Sequence, residues 1–263
     1  MSGTLFLVPV PIAEGEPKRE LAPRLLDILG ATDDFIVENQ RTAKRFLVTV
    51  MEQELVDQAR FGILDKHSGP EDLSALLEPL EQGRNAVIMS EAGSPCVADP
   101  GAALVELAHK KGIRVVALPG PSAILMALMA SGLGGQRFAF NGYLPAEEAG
   151  RMNALRELER QSAASGATQI FIETPYRNDA MLKSALKALQ AGTLLCVAYA
   201  LSSPLESVVT KSVAEWRAAA REYGKEPAVF LLAAPASGGA EQALKPGAAR
   251  QSQTKRQTRP QGT

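Results

Sequence analysis

Short apolar runs recur along the chain, each closed by Gly, Pro or a polar cluster, and longer amphipathic stretches lie between most of them. Leu5–Val10, Phe35–Glu38, Ala86–Ser90 and Ile113–Leu118 read as buried strands. The spacing predicts a helix over Glu16–Leu29, with Leu21, Leu25, Ile28 and Leu29 on one stripe, and mostly helix over Thr42–Arg60. Another helix opens at Ser68-Gly69-Pro70. Pro70 suits its first turn, Leu73, Leu76, Leu77 and Leu80 form its apolar face, and Gly83 suits its end. Ala102–Lys111 is a further helix, stopped by Gly112. Strand, helix, strand order predicts a parallel sheet, because parallel neighbours need long crossovers.

The second half keeps the mixture and changes its order. Helices are predicted over Ser122–Met129, Ala149–Ser162, Asp179–Gln190 and Val213–Tyr223. Strands are predicted over Phe138–Tyr143, Ile170–Glu173, Leu194–Tyr199, Ser207–Thr210 and Val229–Ala233. Three of these strands share one intervening helix, so some pairing must be antiparallel. The expected architecture is α/β in two domains, residues 1–118 and 119–236. The N-terminal sheet is mostly parallel, the C-terminal one is mixed, and the stiff Leu118–Pro121 segment is the hinge. Residues 237–263, rich in Gly, Gln, Thr, Lys, Arg and Pro, read as a disordered basic tail.

Composition narrows the function classes. The 263 residues are 46% hydrophobic, enough for one large core or two ordinary ones. Net charge is −1, so bulk charge gives no case for nucleic acid. The spread is uneven: from Ala236 onward five basic residues face Glu241 alone, a local +4 that leaves −5 on the body. Cys96 and Cys196 have no metal-like spacing and fit a reducing cytoplasm. Met1–Pro11 has no basic leader and two prolines break it, so neither a signal peptide nor a membrane span is expected there.

Candidate chemistry gathers where Gly, Pro and polar residues cluster at strand ends, the place where open α/β sheets bind ligands. Four such segments stand out: Val8–Gly15, Ser90–Gly101, Leu118–Ala123 and Glu173–Arg177. Neither a Gly-x-x-x-x-Gly-Lys-Ser/Thr loop nor a Gly-x-Gly-x-x-Gly motif after the first strand occurs, which disfavours nucleoside triphosphates and NAD. His67 and His109 make no metal spacing with either cysteine, and no Gly-x-Ser-x-Gly elbow is present. The Ser90–Gly101 segment is long for a plain strand-to-helix turn, and long ordered loops tend to be functional.

These four segments resemble the tetrapyrrole-methylase superfamily of S-adenosylmethionine (SAM) methyltransferases. The match rests on Val-Pro-x-Pro-Ile, Ser-x-Ala-Gly-Ser-Pro…Asp-Pro-Gly, Leu-Pro-Gly-Pro-Ser-Ala and Glu-Thr-Pro-x-Arg, and covers roughly residues 3–234. Within the superfamily the chain is most similar to the branch that methylates ribose in small-subunit ribosomal RNA. The resemblance implies SAM in a cleft between the domains. Ile12, Ser94, Val97, Ser122 and Ala123 would hold it from one side, and Thr174, Leu201 and Ala228 from the other. It also implies a homodimer. The branch's Pro-Ile-Gly-Asn, Glu-Asp-Thr-Arg, Ser-Asp-Ala-Gly and Arg-Glu-Leu-Thr-Lys are here Pro11–Glu14, Glu38–Arg41, Ser90–Gly93 and Tyr199–Ser203.

Methyl transfer from a sulfonium is an in-line displacement governed by positioning, and a hydroxyl acceptor must also lose a proton. Glu38 and Glu91 are the candidate bases, and Arg41 and Arg177 the candidate anchors for an acceptor phosphate or carboxylate. Three readings stay open: an RNA methyltransferase, a methyltransferase of a tetrapyrrole or other small molecule, and a SAM-binding protein without turnover.

Overall fold

The apolar runs of the first half assemble into one parallel sheet. A computed structural model describes residues 2–15, 21–219 and 221–235. Its first sheet contains β1 (Thr4–Val8), β2 (Asp34–Val37), β3 (Arg60–Ile63), β4 (Ala86–Met89) and β5 (Arg114–Ala117), in the order β3-β2-β4-β1-β5. Every pairing is parallel. Crossovers are therefore obligatory, and α1 (Pro23–Gly30), α2 (Gln40–Val50), α3 (Gln53–Gln58), α4 (Pro70–Glu81) and α5 (Gly101–Lys110) lie in them. β2 and β4 are buried at every position. Leu25, Leu29 and Leu47 pack with Phe35 and Val87 in one cluster, while Leu77, Leu80 and Leu104 pack with Leu5 and Ile88 in another. Such two-sided burial is what a parallel sheet requires.

This strand order fixes where a ligand can sit. From β1 the chain moves toward the β2 side, and from its neighbour β4 it moves across to β5. Because these connections leave neighbouring strands in opposite directions, the carboxyl ends of β1 and β4 are a switch point of the sheet, where ligands bind.

The second sheet contains β6 (Phe138–Tyr143), β7 (Thr168–Glu173), β8 (Leu194–Tyr199), β9 (Ser207–Ser212) and β10 (Ala228–Ala233), in the order β6-β7-β10-β8-β9. β6 and β7 are parallel and the other pairings antiparallel. One core cluster joins it to α7 (Glu148–Ser165), α8 (Asn178–Ala188) and α9 (Val213–Ala218) through Leu155, Met181, Phe171, Phe230 and Trp216. Another joins it to α6 (Ala123–Ser131) through Ala127, Leu128, Ile170 and Val229. The Trp216 indole N–H donates to the Leu195 carbonyl at 2.8 Å, so the largest core side chain leaves no polar atom orphaned.

The expected α/β architecture, parallel in the first sheet and mixed in the second, is thus observed. Four boundaries differ. The Thr42–Arg60 stretch breaks at Met51 into two helices and then yields to β3. That strand is four residues long and contains Gly62, where a Cβ would stand 2.2 Å from Leu76 Cδ2, so glycine leaves room for the Leu76 side chain. The first strand stops at Val8 because Pro9 cannot donate to the ladder, and Val10 pairs with Gly93 instead. The Val213–Tyr223 helix closes at Ala218. Of the Glu16–Leu29 helix, Pro23–Gly30 is helical and residues 16–20 lie outside the described residues, as does the 237–263 tail.

Gly120 lies against Pro9, and a Cβ there would be 2.5 Å from the proline Cβ. Gly120→Ala is therefore expected to lower stability by about 1–3 kcal/mol through overpacking. Urea denaturation should show a lower midpoint at unchanged slope.

Candidate functional site

Three tethers draw the loops of the switch point together. Val10 and Gly93 exchange two backbone hydrogen bonds, at 2.9 and 3.0 Å, tying the loop after β1 to the loop after β4. Gly93 has φ +73°, and its ideal Cβ would already press on Ile12 at 3.3 Å. The Ser94 hydroxyl donates to the Pro121 carbonyl at 3.1 Å, fastening the same loop to the segment that leads to α6. At its far end Asp99 Oδ1 accepts from the Cys96 and Gly101 backbone N–H groups, at 3.0 and 2.9 Å.

Between those tethers the backbone is strained. Cys96 and Ala98 have φ of 67° and 62°, and Ala200 and Ser202, in the loop after β8, have 53° and 63°. These are the non-glycine residues with positive φ among the described residues. Each costs on the order of 1–2 kcal/mol, and such strain concentrates at functional sites. Ala200 is held by donating to the Pro227 carbonyl at 2.9 Å, and Ser202 by donating to the Glu206 carboxylate at 2.7 Å.

The two strained loops face one cleft of about 1290 Å³, completed by the end of β7 and the start of β10. Nine of the residues expected from sequence line it: Ile12, Glu38, Glu91, Ser94, Val97, Ser122, Ala123, Leu201 and Ala228. Three do not. Arg41 is exposed on the first turn of α2, Thr174 follows the lining residue Glu173, and Arg177 is engaged with Glu173.

That last pairing is asymmetric. Glu173 Oε1 takes the Arg177 Nε and Nη2 donors at 2.9 and 2.6 Å and the Thr174 backbone N–H at 2.6 Å. Oε2 is buried with no partner among the described residues. Asp99 repeats the pattern: Oδ1 is doubly bonded and Oδ2 is buried and unpartnered. Both residues line the cleft, so its wall carries two carboxylate oxygens lacking the donors that buried acceptors demand. Neither Asp99 nor Glu173 is among the site residues expected from sequence. Glu173 ends β7, and a carboxylate directly at a strand end was the available signal for it, whereas Asp99 lies deep in the loop after β4 and gave no such signal.

Glu38 follows β2 at the same mouth. Burial raises its pKa above the usual glutamate value, and the nearby Asp99 and Glu91 charges raise it further, while a hydrogen bond from the Glu91 backbone partly offsets them. A carboxylate shifted that way is a better proton acceptor near neutral pH than an ordinary one.

The sequence matches the Tetrapyrrole (Corrin/Porphyrin) Methylases over residues 6–216. The chain belongs to that methylase family. Among its relatives is the ribosomal RNA small subunit methyltransferase I of Escherichia coli O157:H7, 34% identical over 84% of this chain and 73% of that protein. The enzyme of the same name from Vibrio cholerae is 32% identical over 80% of this chain and 69% of its own. In fold the chain is similar to the uroporphyrin-III C-methyltransferase of Thermus thermophilus complexed with S-adenyl homocysteine. That likeness has a TM-score of 0.53 at 19% identity and covers 88% and 97% of the two chains.

As a methylase of this family, the protein keeps the role of one altered segment. Asn39 replaces the aspartate of the Glu-Asp-Thr-Arg pattern, yet its Oδ1 accepts from the Arg41 and Thr42 backbone N–H groups at 2.9 and 3.2 Å. It caps α2 as aspartate would, and Asn and Asp are equivalent in that role. No group of His, Cys, Asp and Glu among the described residues is arranged to hold a metal ion.

The Glu38 shift carries a stability consequence. Its folded pKa exceeds its unfolded one, so folding loses stability as pH rises through that interval and the loss is complete above the folded value. Glu38→Gln should therefore raise the melting temperature at pH 7, and the gain should shrink as pH falls through the folded value and vanish by about pH 3, where the carboxyl is protonated in both states. Thermal melts of both proteins across that range would show an advantage that does not depend on pH if the assignment were wrong.

Proposed function

We propose that this methylase uses SAM as its methyl donor, held in the cleft, and that its acceptor is a ribose hydroxyl of small-subunit ribosomal RNA. The observation that carries the reading is the cleft. Its volume of about 1290 Å³ exceeds what one small ligand needs, and a proton-accepting carboxylate, Glu38, stands in its wall. The donor set suits the cofactor: the orphaned oxygens of Asp99 and Glu173 match amino and hydroxyl donors, and the small or apolar residues Ile12, Val97, Ala123, Leu201 and Ala228 suit an adenine and a thioether. The acceptor class is the one named for the relatives at 34% and 32% identity.

When bound, SAM supplies an electrophilic methyl group on a sulfonium. Ser94 ties one facing loop to Pro121 and Ser122 lines the cleft beside it, with Ile12 and Val97 on one side and Leu201 and Ala228 on the other. Thr174 and Arg177 act behind the wall, holding the Glu173 carboxylate. Glu38 accepts the proton of the acceptor hydroxyl on a carboxylate oxygen, and Glu91 keeps its pKa up. Positioning supplies most of the rest. The two sheets are read as two domains, residues 1–118 and 119–236.

We also read the protein as a cytoplasmic homodimer. No helix among the described residues is long and apolar enough to cross a membrane. Leu125 and Met129 of α6 are 50% and 84% exposed, large apolar side chains suited to an interface.

Calorimetric titration with S-adenosylhomocysteine should give saturable binding that Ser94→Trp abolishes. With methyl-labelled SAM and small ribosomal subunits as acceptor, Glu38→Gln should lower kcat by about 10²–10⁴ at unchanged cofactor affinity. Cofactor binding with label passing only to small molecules would place the acceptor elsewhere. Light scattering at a dimer mass, lost in Met129→Glu, checks the assembly.

A further inference from the structure

α2 departs from the usual placement of charge on a helix. Its eleven residues contain Arg41, Lys44 and Arg45 and no acidic residue. A helix N-terminus carries a partial positive charge, so cations there are unfavourable. α3, α4, α7, α8 and α9 have an acid in the first turn, and α1, α5 and α6 have none. Arg41 and Arg45 are also four residues apart, a like-charge pair on one face that destabilises an isolated helix. Both are exposed, and among the described residues neither has an acidic partner. Lys44, by contrast, lies over the Phe61 ring at 5.3 Å, on the side toward β3.

The stripe is continuous with the cleft. Thr42, Arg45, Phe46 and Thr49 line it from α2, and Glu38 stands just before the Asn39 cap. Acidic groups therefore occupy the mouth near the reacting position, in Glu38, Glu91 and Asp99, while cations occupy the rim along α2. A polyanion is attracted to that rim and repelled from the acidic groups. A strand held by its phosphates along α2 would keep its backbone outside and present a sugar hydroxyl inward. The Cα atoms of Arg41 and Arg45 are about 6 Å apart along the helix axis, a spacing that lets each guanidinium take a separate phosphate.

We propose that Arg41 and Arg45 form a rail on α2 that binds the phosphodiester backbone of the acceptor RNA. This deepens the RNA reading above and rests on it.

The test measures fluorescence anisotropy of a short labelled single-stranded RNA between about 50 and 200 mM salt, where each phosphate contact contributes about 0.7 to the slope of log affinity against log salt. The double variant Arg41→Gln, Arg45→Gln should lose about 1.4 of that slope, two contacts' worth. It should melt no lower than the wild type, because it removes charges the helix disfavours. Lys44→Gln, one charge off the stripe, should change the slope far less than half as much. A double variant that keeps the wild-type slope overturns the rail, and so does a Lys44 variant with an equal effect per charge. Equal affinity for a polyglutamate peptide would mark the stripe as a docking face for an acidic protein and also overturn it. Wild-type protein that binds S-adenosylhomocysteine but no RNA defeats the RNA reading and the rail together, an outcome distinct from failure of the rail alone.

Discussion

The loop between β4 and α5 is the element on which the cleft depends. Its start is paired to the loop after β1, its middle is bonded to the Pro121 carbonyl, and its end is gathered onto one carboxylate oxygen of Asp99. Left to itself, such a segment would not keep Cys96 and Ala98 in the left-handed region. The tethers over-determine the conformation, and the strain persists only because they do. A single loop thus connects both sheets, since Pro121 leads into α6 and α6 packs on the second sheet.

Strain, like-charge proximity and unpaired acceptors all occur around the same opening. Away from it most buried polar groups are paired, with Asn178 Oδ1 and the Tyr223 hydroxyl the exceptions among the described residues. Asp34 is buried but receives two parallel hydrogen bonds from Arg60, each 2.8 Å. Glu159 is buried and accepts from Thr193 and the Gln190 backbone. Local rules fail together at a functional site because ligand geometry, not fold stability, selects the residues there.

Much of this was legible from the chain. Alternation of apolar runs with amphipathic helices is a direct imprint of two-sided burial, so nine of the ten strands among the described residues and the parallel-then-mixed order are legible in the sequence. The exception, β3, carries too little apolar sequence to announce itself: Arg60 pairs with Asp34, Gly62 makes room for Leu76, and two residues remain. Strand-end Gly and Pro clusters marked the cleft. What sequence could not supply was the division of labour within it. Arg177 looks like a ligand anchor until its partner Glu173 proves wholly buried, and that burial is set by strands far away in sequence.

Burial also sets the chemistry of Cys96. Its thiol is one residue from the cleft wall, and desolvation together with the Asp99 charge pushes its pKa up to about 11. Only about one molecule in ten thousand then carries the thiolate at neutral pH. Sulfur is a far better nucleophile as thiolate than as thiol. Burial, helped by the carboxylate that gathers the end of this loop, thereby keeps a sulfur at the edge of the cleft protonated and unreactive.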